Sequence, residues 1–199
     1  MEWHNRTSTF TGSIIALLVP VLALATAAGA AAGNGSQTTD PMGRLGIWEG
    51  RWRYSTRDYA TPYSRAHTSH GIGDCTWAPN RGFLICDYLN RDPGSDTPLN
   101  DLVIFSYSPA AKAYTHVRVF KDAKPVLDNV TVNGNTWVTS VAIPYHGKTL
   151  IARDVYVFSS DDERRSTTAQ VSADKGQTWT TVTQFTAVKL RQTAQRNHG

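Results

Sequence analysis

Beyond residue 43 the chain alternates apolar and polar residues with a period of two. Trp48, Gly50, Trp52 and Tyr54 fall on one phase, and Ile47, Glu49, Arg51 and Arg53 on the other. Successive strand side chains point to opposite faces, so this segment reads as a strand with an aromatic face and a charged face. Turn residues recur about every 8–12 positions, the spacing of an all-β chain. Ten strands are predicted: Arg44–Arg57, His67–Trp77, Phe83–Asn90, Asp101–Tyr107, Tyr114–Lys121, Val126–Val132, Thr136–Ile143, Thr149–Phe158, Ser166–Ser172 and Thr178–Leu190. Asn133-Gly134-Asn135 joins two of them and marks a tight hairpin, because Asn and Gly tolerate positive φ.

Nearly every connection is short, which favours an up-and-down antiparallel meander. A flat meander of that length exposes two edges, and closure into a barrel removes them. The predicted fold is therefore an all-β, up-and-down antiparallel barrel of about ten strands, wide enough to enclose a cavity. A two-sheet sandwich is the alternative. The Cys…Trp…Cys spacing of an immunoglobulin domain does not appear.

The first 32 residues have a different pattern. Ile14 to Ala32 carries no charge, and small residues at Ala28-Gly29-Ala30 and Ala30-Ala31-Ala32 offer cleavage sites. That order of regions is the one a secretory signal peptide requires. Pro20 and the short apolar run, Ile14 to Leu24, argue against a membrane span, although an uncleaved leader remains the alternative. The expected organisation is a signal peptide helix over 1–32 and a polar linker over 33–43. A barrel over 44–191 and a polar tail over 192–199 follow. A secreted or periplasmic location follows from the leader.

Composition adds little about partners. The chain has 199 residues, a net charge of +4 and 18% charged residues. Its basic residues are scattered among acids, so no nucleic-acid groove is expected. A membrane contact is expected only through an uncleaved leader.

Cys75 and Cys86 flank a short hairpin. Centring the turn between Asn80 and Arg81 puts the two cysteines directly opposite, in a non-hydrogen-bonded pair where side chains approach closely. An exported protein meets an oxidising compartment, so a disulfide is expected. Two cysteines alone make a poor metal site.

Other motifs are weaker. Ser172 to Trp179 resembles the Asp-box turn of sialidase propellers, but a single copy is a hairpin device. His67, His70 and Asp74 invite a metal reading, yet on a strand His67 and His70 face opposite ways. No metal and no cofactor is expected. His116 shares a strand face with Tyr114, Arg118 and Phe120, so it can enter a cavity. No nucleophile elbow, zincin, P-loop or dinucleotide motif is present.

Gly46-Ile47-Trp48 resembles the G-x-W start of lipocalin-like barrels. Several further pieces follow in order: Cys75 to Leu84, Tyr107-Ser108-Pro109 with Lys112 and Tyr114, Asn135-Thr136-Trp137, and Asp174 to Trp179. Together they resemble a lipocalin-like family of small, often secreted bacterial proteins known only as a domain of unknown function, with a calycin-type β-barrel. The resemblance implies the barrel, with Trp48 closing one end and Lys189 or Arg191 covering it. It implies no catalytic residue.

Three functions fit. The first is a binding barrel for a small hydrophobic molecule, with Trp48, Trp52, Tyr54, His116 and Arg118 as candidate lumen residues. The second is an envelope structural or interaction protein with a packed barrel, using the loops Asp58–Ala66 and Arg91–Asn100. In that case Tyr59 and Tyr63 would be exposed contacts. The third is an enzyme pairing His116 or His70 with Asp74, Asp87 or Asp154. A haem-binding barrel using His116 or His146 is a variant of the first and third.

Overall fold

The computed structural model describes residues 40–89, 100–120 and 124–191. The expected signal peptide, most of the linker, nearly all of the loop Arg91–Asn100 and the tail 192–199 lie outside the described residues. A short 3-10 helix, Gly43–Ile47, precedes ten strands. These are β1 (Gly50–Asp58), β2 (His67–Trp77), β3 (Leu84–Leu89), β4 (Asn100–Ser108) and β5 (Ala113–Phe120). Then come β6 (Val126–Asn133), β7 (Thr136–Tyr145), β8 (Lys148–Phe158), β9 (Arg164–Ser172) and β10 (Thr180–Leu190).

Each strand pairs antiparallel with its sequence neighbours, and β1 also pairs with β10. The sheet is a closed barrel, as the short connections predict. Closure gives every strand two partners and leaves no free edge.

The start of β1 differs from the sequence reading. Residues 43–47 form a helical turn, and the strand begins at Gly50. The Asp40 carboxylate accepts from the N–H groups of Met42 and Gly43 at 3.0 and 2.9 Å, satisfying donors that a helix start leaves free. Gly50 then turns the chain into the sheet with φ +116°, a conformation open to glycine. Trp48 therefore leaves the sheet and becomes a plug.

That plug is the floor of the barrel. Trp48, Trp52, Trp137, Phe105, Leu45 and Leu84 are all essentially inaccessible. Phe105 stacks on Trp48 at 4.5 Å, and Trp137, Tyr156 and Phe158 meet it edge to face. The basic residue covering Trp48 is Arg165 on β9, at 4.8 Å from the ring. Lys189, expected in that place, instead lies 4.9 Å from the Trp52 ring. The register explains the exchange: Lys189 pairs with Trp52 across β1 and β10, whereas Arg165 pairs with Phe158 beside the plug. Arg191 is exposed and pairs with Glu163.

Cys75 and Cys86 face each other in the β2–β3 register and form a disulfide, buried in the barrel wall. The hairpin closes between Ala78 and Phe83, the pair that a turn centred between Asn80 and Arg81 sets opposite each other, through Ala78 N–H donating to the Phe83 carbonyl at 3.0 Å.

At the opposite end, Leu150, Val171 and Val182 form a second apolar cluster. The chain after β1 folds over it. Tyr63 packs there at 5.7 Å from the Tyr145 ring, and Tyr145 donates to the Pro62 carbonyl at 3.0 Å. Tyr59 donates to Gln184 at 2.6 Å. These tyrosines, expected as exposed contacts, are part-buried and tied to the rim, the ring packing on apolar side chains or the hydroxyl bonding to it.

Candidate functional site

Between floor and mouth the inward phase of the strands becomes polar. Cross-strand pairing places His116 opposite Asp128, Val103 opposite Arg118, and Asp154 opposite both Thr139 and Ala169. Directly paired residues share a face, and His116 and Asp128 are buried, so these side chains belong to the interior.

Asp128 is the hub. His116 Nδ1 lies 2.6 Å from its Oδ2. Arg118 makes a two-pronged contact, Nε to Oδ2 at 2.9 Å and Nη2 to Oδ1 at 2.8 Å. Burial by itself would raise the Asp128 pKa; the hydrogen bonds from His116 and Arg118 outweigh it and hold the carboxyl below its usual range. An ionised carboxylate only accepts, so His116 donates through Nδ1. The Phe105 ring lies 4.6 Å from the imidazole and separates it from the floor.

Asp154 and Tyr156 stand next to this hub on β8. The Tyr156 hydroxyl donates to Asp154 Oδ2 at 3.3 Å. Burial raises the Asp154 pKa, and Arg118 and His116 oppose it only in part. Burial also raises the Tyr156 phenol, with the Asp154 charge adding to it. Asp101 is raised as well, again chiefly by burial. In all three, burial disfavours the ionised form.

Asp154 and Tyr156 are surrounded by protein, yet they keep accessible surface, and the Arg118 side chain is 27% exposed. The three form a part-buried polar layer on the inward phase of the barrel.

The opposite wall carries Tyr54 and Tyr88, edge to face at 6.2 Å. Two glycines on β2 make room for them. A Cβ at Gly71 would fall 2.2 Å from the Tyr54 hydroxyl oxygen, and one at Gly73 would fall 2.6 Å from the Tyr88 ring. Burial pushes the Tyr54 pKa well up, with Tyr88 and Asp101 adding to it.

Of the residues singled out in the sequence, the structure brings Tyr54, His116 and Arg118 to this middle layer. Trp48 and Trp52 lie in the sealed floor beneath it. Of the proposed carboxylate partners, Asp154 is beside His116, whereas Asp74 and Asp87 pair with each other on the outward phase. Asp74 lies 3.7 Å from exposed Arg51. His70 is exposed, and His146 occupies a turn at φ +46° against Tyr145. Among the described residues no three His, Cys, Asp or Glu side chains gather as a metal would need.

Asp128, Tyr156, Asp101 and Tyr88 were missed as site residues. A signal existed for the first. Asp128 stands on the apolar phase Val126, Val130, Val132, where a lone acid is out of place.

A rim groove lined by Arg57, Asp58, Tyr59, Ala60, Ala66, His67 and Thr68 is wide open to solvent. It gathers no buried polar group, so the lumen is the stronger candidate.

No family model matches the sequence, and comparison with curated proteins gives no match. Twelve chains of solved structures match. One is the crystal structure of Rv2717c from M. tuberculosis, with a TM-score of 0.53 and 14% identity. The match covers 76% of this chain and 99% of that one. At that identity the likeness shows the fold alone.

Proposed function

We propose that the protein is an exported, non-enzymatic carrier that holds a small molecule in the upper half of its barrel. The molecule is mostly apolar and bears one polar group that accepts hydrogen bonds. The observation that carries this reading is the polar layer of Arg118, Asp154 and Tyr156, enclosed by the barrel but still accessible. A packed core has no use for such a layer, since buried polar groups cost stability unless they are paired. Beside and above it the inward positions include Val126, Val141, Ala152 and Ala169, all part-buried, which suits an apolar body. Arg118 offers guanidinium N–H groups, and the Tyr156 hydroxyl can turn its proton from Asp154 to a ligand, which suits a carbonyl or ether oxygen.

Export is supported by the apolar leader together with the disulfide. A place among lipocalin-like barrels is supported by Gly46-Ile47-Trp48 at the floor.

The test uses the purified full chain and a neutral ketone-bearing naphthalene dye as probe. Wild type should bind it saturably with a blue shift in emission. Asp154→Asn combined with Tyr156→Phe should weaken binding about tenfold, the effect of about 1.4 kcal/mol. No binding by wild type, or equal binding by the double variant, would overturn the proposal.

A further inference from the structure

Among the described residues, four buried donor nitrogens in the floor meet no acceptor. They are Nε1 of Trp48, Nε1 of Trp137, and Nε and Nη1 of Arg165. All belong to one cluster. The two indoles meet edge to face at 5.9 Å, and the Arg165 guanidinium lies 4.8 Å from the Trp48 ring and 5.4 Å from the Trp52 ring.

A second cation points the same way. The Lys189 ammonium lies 4.9 Å from the Trp52 ring, on the strand next to Arg165. Among the described residues neither cation has an ion pair. Asp162 in the β8–β9 turn feels Lys189 only at longer range, and Glu163 pairs with Arg191.

A guanidinium keeps its charge at any ordinary pH, and a buried charge is costly unless it is paired. The surrounding aromatic faces offset part of that cost. They are weak acceptors beside a lone pair, however, and they bring no negative charge. Donors without acceptors beside uncompensated positive charge are the chemistry of an anion site. The rings around it are almost wholly inaccessible, so the occupant must be small. A spherical ion also accepts N–H groups arriving from different directions.

We propose that the barrel floor binds a monatomic anion of halide size, held by Arg165, Trp48 and Trp137, with Lys189 adding to the local field. This site lies below the carrier lumen, with the Tyr156 ring between them, and does not depend on the carrier reading.

The experiment compares the full chain in sodium chloride, sodium bromide and sodium gluconate at matched ionic strength. Halide should raise the thermal midpoint saturably, gluconate should not, and Arg165→Met should lose the halide response. Crystals grown in bromide should show an anomalous peak in the floor beside Trp48. If Arg165→Met does not fold, the bromide map of the wild type decides alone. A response equal in gluconate, a response retained in Arg165→Met, or a floor with only water or ring contacts would overturn the proposal.

Discussion

Asp174 shows how much a single side chain can organise at the surface. It accepts from the Thr178 hydroxyl at 2.6 Å, the Thr178 N–H at 2.9 Å and the Ser172 hydroxyl at 2.7 Å. Those bonds, the Thr178 hydroxyl first, pull its pKa down to about 2. Gly176 takes φ +91° and Arg153 stacks on Trp179 at 3.7 Å, so the Asp-box-like segment is the hairpin device its sequence suggests. A carboxyl with a depressed folded pKa stabilises the turn above its unfolded value, near 3.9. That contribution should be lost as pH falls from about 4 towards 2. Carboxyl NMR should place the Asp174 midpoint near 2, and a midpoint at the ordinary aspartate value would refute the bonding pattern. The turn was readable because all the hydrogen-bond partners given for Asp174 lie within eight residues. Asp128 was not, because its partners come from the neighbouring strand and its meaning depends on register.

At the scale of elements, the β2–β3 hairpin was predictable down to its pairing. The turn residues set the register, and the register sets the cysteine pair. The bond closes a short loop, with 11 residues separating the cysteines. Replacing both by Ala should cost about 2–3 kcal/mol. Urea titration of the variant, beside the oxidised wild type, should show the midpoint falling with little change in slope. An unchanged midpoint would show that the bond constrains nothing. β1 was less legible. Its period-2 pattern continued through Ile47 and Trp48, yet Asp40 starts a helical turn there and Gly50 ends it. Alternation alone does not distinguish a strand from a turn that happens to share its phase.

For the whole molecule, Trp48 is the keystone. Its ring touches Phe105 of β4, Trp137 of β7, Tyr156 and Phe158 of β8 and Arg165 of β9, so one side chain ties together strands from across the barrel. Trp48→Ala should cost about 3–5 kcal/mol, whereas Trp179→Ala, on a surface turn, should cost about 1 kcal/mol or less. Calorimetry of the two variants checks the contrast, and equal losses would deny the floor its role. The sequence by itself determined the all-β class, the strand positions apart from the start of β1, the disulfide and the Asp174 turn. Each of these follows from local periodicity or from turn chemistry between near neighbours. Only the tertiary structure decided that Arg165 rather than Lys189 covers Trp48, that Asp128 joins His116 and Arg118, and that a polar layer sits above a sealed floor. Those facts depend on which strands face each other across a closed barrel, and that is set by register and closure summed over all ten strands.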